Sequence, residues 1–354
     1  MNHYCTYFDR GFLIQGVALA RSLTRHDPGA VLWVLALDDF TGEVLREIGG
    51  PGIRVVALST LESSDPELKT AKANRSRVEY FFTLSPCWPR SLLQTHPDIE
   101  RITYIDADML FFSSPAPIFA AMEETRASVL ITAHRFPQWL RHYERHGVFN
   151  VGVESFRNDA PGRACLDDWR RRCLEWCYDR LEAGRYADQK YLDAWPQQWG
   201  ESLQVLAHPG VNLAPWNWPR HRIAVSHSGV VSVDDSPLVL FHFARFRPIF
   251  GDRWWQSGQL DYGVMPWRIR NAIYAPYWRA LQAARVEIRA KRPDFGFPQR
   301  SARLGRDFWR GLTLRAIWGS DWLRIGDRFF AGRFGLGRWS GQSLAKLRTI
   351  FLRT

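Results

Sequence analysis

The chain reads as an α/β protein: a mixed, mostly parallel sheet flanked by helices, with a basic, aromatic-rich, mainly helical C-terminal extension. Three observations predict this. Residues 3–58 alternate short apolar runs with helix-patterned segments, the mark of parallel strands with helices on their faces. Two apolar runs, Ile102–Ile105 and Met109–Phe112, bracket Asp106-Ala107-Asp108 and read as a central strand buried on both faces. Phe295–Thr354 carries twelve Arg and Lys against three Asp, so it holds +9 of the net charge of +11.

Taken in order, residues 3–8 form a first strand and Asp9-Arg10-Gly11 its turn. Leu13, Ile14, Val17, Ala18 and Leu23 fall on one face of a helix that stops at the breaker cluster Asp27-Pro28-Gly29. Val31–Leu37 is a buried strand followed by Asp38-Asp39. Thr41 is placed to N-cap a helix over Gly42–Ile48, and Ile53–Leu58 is the next strand. Residues 65–100 read as helical. After the central strand come a helix near Ile118–Glu124, a strand at Ser128–Thr132, and a polar loop rich in His and aromatic residues over 133–147. Val148–Glu154 is a short strand interrupted by Asn150 and Gly152, Arg163–Leu181 an amphipathic helix, and Asp188–Trp195 the start of another. Leu203–Ala207 and Pro237–His242 supply late strands. In open parallel sheets ligands bind beyond the carboxyl ends of the strands, where Tyr7-Phe8-Asp9 and Asp106-Ala107-Asp108 fall.

At 354 residues the chain holds a large domain plus an appendage, with the division expected between 1–250 and 251–354. Its 46% hydrophobic and 23% charged residues are those of an ordinary globular protein, and no apolar run reaches the length of a membrane span. The N-terminus lacks a basic segment leading into a signal-type apolar core. Five scattered cysteines (Cys5, Cys87, Cys165, Cys173, Cys177) fit buried thiols in a reducing compartment. Cys173 and Cys177, one helical turn apart, lack the second pair that would complete a metal site. The expected location is cytoplasmic, peripheral on the inner face of the membrane.

Two carboxylates among apolar strand residues are costly unless something positive neutralises them. Side chains at i and i+2 of an extended segment point the same way, so Asp106 and Asp108 can face one site. A hard divalent cation with phosphate oxygens on its far side fits, which makes this a metal–diphosphate site. The plain alternative is a strand end whose two Asp residues turn into a solvated loop.

Five motifs occur in order: Thr6-Tyr-Phe-Asp9, Tyr104-Ile-Asp-Ala-Asp108, Phe149-Asn-Val-Gly-Val153, Asp188-Gln189 and Phe241-His242-Phe243. Together they resemble the nucleotide-sugar glycosyltransferases of the Rossmann-like GT-A fold, above all the retaining family 8 group that includes glycogenin and lipopolysaccharide galactosyltransferases. The likeness spans residues 3–248. It implies transfer of a sugar from a UDP-sugar donor to a glycan or glycolipid hydroxyl with retention, in cell-surface glycan or lipopolysaccharide synthesis. It implies that Asp106, Asp108 and His242 hold a divalent cation, Mn2+ or Mg2+, and imidazole-plus-oxygen ligation suits manganese. Taken alone, His242 is equally a core histidine. The resemblance further places Thr6, Tyr7 and Asp9 at the nucleotide base or ribose, and Asn150 and Gly152 at the donor sugar, where glycine permits close backbone approach. Asp188 and Gln189 would then orient donor and acceptor beside the anomeric carbon. Without the resemblance, Asp9-Arg10-Gly11 is a turn and Asp188-Gln189 the first turn of a helix.

The family's closing motif, His-x-x-Gly-x-x-Lys-Pro-Trp, is here Phe241-His-Phe-Ala-Arg-Phe-Arg-Pro248, without that glycine and with arginine for the lysine. Arg245 or Arg247 is therefore expected to neutralise the diphosphate. The departure also supports an alternative, a catalytically silent nucleotide-sugar-binding protein on the same fold. His208-Pro-Gly210-Val-Asn212, with Ala214-Pro-Trp-Asn217, is a rival source of the third metal ligand and a weaker candidate for donor or acceptor binding. A nucleotidyltransferase is disfavoured because no glycine-rich basic loop follows the first strand. Trp254, Trp255, Trp267, Trp278, Trp309, Trp318, Trp322 and Trp339, interleaved with Arg, suit an anionic membrane surface. The same pattern serves a helical subdomain with Trp inside and Arg outside. Nucleic acid is not expected, since the core has no matching basic motif.

Overall fold

The computed structural model describes residues 1–50, 52–248, 254–257, 259–296, 322–325 and 328–331. The strands run β1 His3–Phe8, β2 Val31–Ala36, β3 Ile53–Ala57, β4 Arg101–Ile105, β5 Met109–Phe111, β6 Val129–Ala133, β7 Phe149–Arg157 and β8 Leu203–Val205. They continue as β9 Val211–Leu213, β10 Ile223–Val225, β11 Val231–Val233, β12 Ser236–Pro237 and β13 Leu240–His242. Seven form one sheet in the order β3-β2-β1-β4-β7-β6-β8. Pairing is parallel from β3 through β2 and β1 to β4 and again at β6–β8, and antiparallel on both sides of β7. The mixed, mostly parallel sheet with flanking helices is thus the one the sequence predicts. The chain leaves β1 outward through β2 and β3, then returns to place β4 on the other side of β1. That reversal opens a crevice beyond the carboxyl ends of β1 and β4.

A second, three-stranded sheet, β5-β13-β9, stands beside the first, with His242 of β13 paired to Met109 of β5. Here the structure corrects one expectation. Asp106-Ala107-Asp108 does not lie within a single strand: β4 ends at Ile105, the three residues turn, and β5 joins the other sheet. The apolar runs on either side are buried as expected, but in two sheets rather than one.

Local chemistry accounts for the helices. Leu13–His26 lies tight against β1 because position 16 is glycine; a Cβ there would come within 2.2 Å of the Phe8 ring. The next helix begins at Asp39, and its cap is Asp38, which accepts from Thr41 N at 2.7 Å, so Thr41 is not the cap. The stretch expected to be helical over 65–100 is divided into Pro66–Ala73 and Arg77–Thr95, the latter opened by a Ser76/Glu79 capping box, and a further helix, Leu58–Ser64, begins where the strand was expected to end. The helix expected over 163–181 runs Ala160–Glu175, because Trp176 turns extended. β7 continues unbroken through Asn150 and Gly152. Asp188 and Gln189 precede a 3-10 turn, Lys190–Ala194, rather than opening an α-helix. All five cysteines are free and buried.

The helix Trp267–Lys291 packs on Leu13–His26 and shares one core with β13. Phe243 stacks on Tyr277 with ring centroids 3.7 Å apart, and Arg21 pairs with Glu287. Trp255 and Trp278 are buried in that core, whereas Trp267 is partly exposed. A short antiparallel sheet joins Arg247–Pro248, Trp254–Gln256, Trp322–Ile325 and Arg328–Ala331. Trp309, Trp318, Trp339 and most of the basic segment after Phe295 lie outside the described residues. Among the described residues no helix is long and apolar enough to cross a membrane.

Tyr277 is wholly buried and its hydroxyl has no hydrogen-bond partner among the described residues. Tyr277→Phe should therefore leave the melting temperature unchanged or raise it, whereas Tyr277→Ala should destabilise by ~3–5 kcal/mol through the lost ring. Thermal unfolding of the two variants checks this, and equal melting temperatures would contradict the packing role.

Candidate metal and donor site

The turn between the two sheets presents both of its carboxylates to β13. His242 Nε2 lies 3.2 Å from Asp108 Oδ1 and 3.6 Å from Asp106 Oδ2. One ligand atom from each of the three lies within 4.8 Å of the others. His242 is buried and the two Asp are half-buried, so the charges stand at a wall, open on one side. Burial pushes Asp106 up to about 6; His242 and the Tyr104 hydroxyl pull against that, while Asp108 adds to it. Burial alone would lower His242, but Asp108 and then Asp106 outweigh it and the imidazole is held protonated more strongly than usual. Two carboxylates and an imidazole converging this closely are the oxygen-plus-nitrogen donor set of a divalent transition metal, and the three residues fit one. His208, the rival third ligand, turns elsewhere and accepts from Gly210 N at 3.2 Å.

Two cavities meet at this cluster. One, of about 200 Å³, is walled by Tyr7, Phe8, Phe12, Leu37 and Phe81, with Asp9, Asp106, Asp108 and His242 on its polar side. The other, of about 190 Å³, is lined by Ser85, Tyr186, Asp188 and Gln189. Tyr7 and Asp106 line both: the first cavity is walled by aromatic rings and holds the whole cluster, whereas the second, which also has Phe82 and Val151 on its walls, meets the cluster through Asp106.

A hydroxyl–carboxylate chain fixes the shared wall. Tyr104 donates to Asp106 Oδ1 at 2.7 Å. Tyr7 meets Ser85 Oγ at 2.9 Å, and Ser85 donates to Asp188 Oδ2 at 2.6 Å. Burial, and secondarily Asp106, push Asp188 up to about 7, while the Ser85 bond opposes the rise. Gly152 is required by space: a Cβ would come within 2.8 Å of Asn150 Oδ1 and 3.2 Å of Asp106 Oδ2. Gln189 receives Asn150 Nδ2 and Val151 N on its carbonyl, both at 3.4 Å, and donates to His146 O at 3.2 Å.

The two cavities thus bring together Tyr7, Asp9, Asp106, Asp108, Asp188, Gln189 and His242, while Asn150 and Gly152 line neither and adjoin them from behind through Gln189 and Asp106. Thr6 stands apart: it is fully buried, its hydroxyl has no partner among the described residues, and it lines neither cavity. Neighbouring side chains of a strand point to opposite faces, so with Tyr7 at the crevice Thr6 faces the other way. Asp9 already holds Gly11 N at 2.8 Å and pairs with Arg77 at 2.6 Å. Arg245 pairs with Asp261 at 2.7 Å, and Arg247 lies on the short sheet edge; neither lines a cavity. Ser85, Tyr104 and Glu154 were not singled out by the sequence. Tyr104 was legible, standing near the end of β4 two residues before Asp106. Glu154 is wholly buried, accepts from Gly152 N at 2.8 Å, and burial raises its pKa. Ser85 carries no local signal, since its role depends on helix Arg77–Thr95 crossing the site.

An α/β protein with a carboxylate–imidazole centre at the reversal point of its sheet is the class these observations define. No protein-family model matches the chain. It is 32% identical over 249 residues to the uncharacterized protein YfnF of Bacillus subtilis (strain 168), covering 69% of this chain and 81% of YfnF. It is 31% identical over 300 residues to YfnD of the same bacterium, covering 83% of this chain and 93% of YfnD. The chain belongs to the family of YfnF and YfnD. Similar solved structures include mouse xyloside xylosyltransferase 1 in its apo form, with a TM-score of 0.46 and 18% identity over 70% of this chain and 99% of that one. The galactosyltransferase LgtC with donor and acceptor sugar analogues gives 0.47 and 15%, over 77% and 100%. The glycosyltransferase GlyE of Streptococcus pneumoniae gives 0.48 and 12%, over 85% and 66%.

Because Asp188 has a higher pKa folded than unfolded, the native state binds more protons between the two values and loses stability as pH rises through that range. Asp188→Asn removes the titration. Its stability should match wild type near pH 4 and exceed it increasingly toward pH 8, by an amount of order 1–3 kcal/mol. A pH-independent difference in thermal scans would show that the carboxyl is not held protonated.

Proposed function

We propose that the chain is a metal-dependent glycosyltransferase of the GT-A type. In this reading it moves a sugar from a nucleoside-diphosphate donor, UDP-linked, to a hydroxyl of a glycan or glycolipid acceptor, with retention, in cell-surface glycan or lipopolysaccharide synthesis. The observation that carries the reading is the Asp106–Asp108–His242 cluster on the wall of an aromatic cavity, joined at Asp106 to a second cavity that carries Asp188 and Gln189. A base and ribose suit the first, a hexose the second, and a diphosphate joining them would lie against the cluster.

Asp106, Asp108 and His242 would hold the cation, Mn2+ or Mg2+, which when bound supplies neutralisation of the charge gathering on the departing diphosphate. The protein's own contribution is positioning. Tyr7 and the phenylalanines offer faces to the base, and Asp9 an acceptor to the ribose. Asn150 and Gly152 stand behind the sugar side, against Gln189 and Asp106, and Asp188 and Gln189 orient the sugar and the incoming hydroxyl. Arg245 and Arg247 remain candidates for the phosphates, which requires Arg245 to leave Asp261.

The basic segment after Phe295 is assigned to an anionic membrane surface, which would hold the enzyme near a lipid-linked acceptor. A chain cut after residue 296 should lose co-sedimentation with phosphatidylserine vesicles at low salt; equal sedimentation of both forms would discard the assignment.

For the transferase itself, UDP with Mn2+ should raise the melting temperature of the wild type more than either alone. Asp106→Ala and Asp108→Ala should abolish that synergy and lower sugar transfer at least ~10²-fold while keeping the fold. Undiminished metal-dependent transfer in either variant would refute the proposed centre.

A further inference from the structure

Gln189 is tied to the interior by a chain of amides whose polarity is set at its outer end. Its carbonyl faces the Val151 N–H, and its amide NH2 faces the His146 carbonyl. Both are backbone groups that cannot exchange roles, so the orientation of Gln189 is fixed. Asn150 must then turn its own NH2 toward the Gln189 carbonyl, at 3.4 Å, and its carbonyl away. That carbonyl is met by the NH2 of Asn212 at 2.9 Å, and the same group donates to Thr132 Oγ at 2.7 Å. Thr132, Asn150 and Asn212 are all buried, with Asn212 wholly so.

Asn212 reaches this place through an irregularity in the smaller sheet. β9 pairs with β13 through Val211–Leu240 and Leu213–Phe241, and the register shifts between those pairs. Asn212 is thus the extra residue of a bulge, at φ +57°. Bulges beside functional sites re-aim a side chain, and asparagine is among the few residues other than glycine that tolerate this left-handed conformation. Its backbone carbonyl is held by Asn217 Nδ2 at 3.0 Å, so the bulge is braced from outside the strand. Neither cavity is lined by Asn212.

We propose that Asn212 is a positioning residue: through Asn150 it fixes the amide of Gln189 at the wall of the second cavity. It touches no substrate. Its consequence for activity rests on the transferase reading above; its consequence for the Gln189 side chain does not. A role in shaping the strand alone would need only the positive φ, which glycine supplies without strain. A role through the amide needs a donor facing Asn150.

Two variants of the full chain separate these. Asn212→Gly keeps the backbone and removes the amide. Asn212→Asp keeps size and shape but cannot donate, so it sets acceptor against acceptor at Asn150 and drives that side chain to turn over. Both should retain the melting-temperature rise with UDP and Mn2+, because the cation cluster is untouched. Both should lower kcat for transfer from UDP-glucose or UDP-galactose by roughly 10²-fold with little change in donor KM, as expected for misorientation of a group at the reacting centre. In a crystal structure of Asn212→Asp, Gln189 should have left the Val151 N–H or the His146 carbonyl. Wild-type kcat in Asn212→Gly, or an unmoved Gln189 in the Asn212→Asp crystal, would overturn the proposal. If the wild type neither responds to UDP and Mn2+ nor turns over either donor, the transferase reading fails, and the Gln189 geometry in the crystal still decides the role of Asn212.

Discussion

One imidazole between two carboxylates holds the site in place. Asp106 and Asp108 occupy the only connection between β4, in the large sheet, and β5, in the small one, and His242 reaches them from β13. Like charges so close repel, and each is partly withdrawn from water, so the turn is tolerable only with a positive partner on its buried side. His242 provides that partner from the small sheet itself. The same contact that relieves the carboxylates therefore fixes how the two sheets meet.

From that joint the remaining polar groups are ordered outward. Tyr104 and Asp106 lie on one face of the extended chain, and β7 brings Gly152 against Asp106, where any larger residue would collide. The backbone supports the turn on both flanks: Asp106 N donates to Gly152 O at 3.1 Å and Phe243 N to Asp108 O at 2.9 Å. On the far side, Ser85 carries the Tyr7 hydroxyl to Asp188, while the amide chain behind Gln189 runs back to the small sheet. Tyr7, Ser85, Tyr104 and Gln189 have hydrogen-bond partners before any ligand arrives, and such preorganisation is the requirement for orientation to matter.

The C-terminal helix belongs to the same construction. Tyr277 stacks on Phe243, the residue after His242, and Phe246 and Trp278 close around it. The aromatic richness after residue 250, which in sequence suits a membrane surface, is for Trp255 and Trp278 the ordinary demand of a core. Periodicity alone could not separate these, since a ring that prefers a bilayer interface also prefers a protein interior.

The sequence by itself determined the alternating strands and helices, the carboxylate pair, and the residues from Tyr7 to His242 that gather at the crevice. These signals are local: hydrophobic period, strand alternation and short motifs survive without knowledge of the partner. Only the tertiary structure decided that Asp106-Ala107-Asp108 joins two sheets, that Thr6 faces away, and that Ser85 bonds Asp188 and Asn212 bonds Asn150. Ser85 meets Asp188 across 103 residues and Asn212 meets Asn150 across 62. A hydrogen bond over such separations leaves no trace in either neighbourhood, because what aligns its two ends is the packing of whole elements rather than any property of the residues beside them.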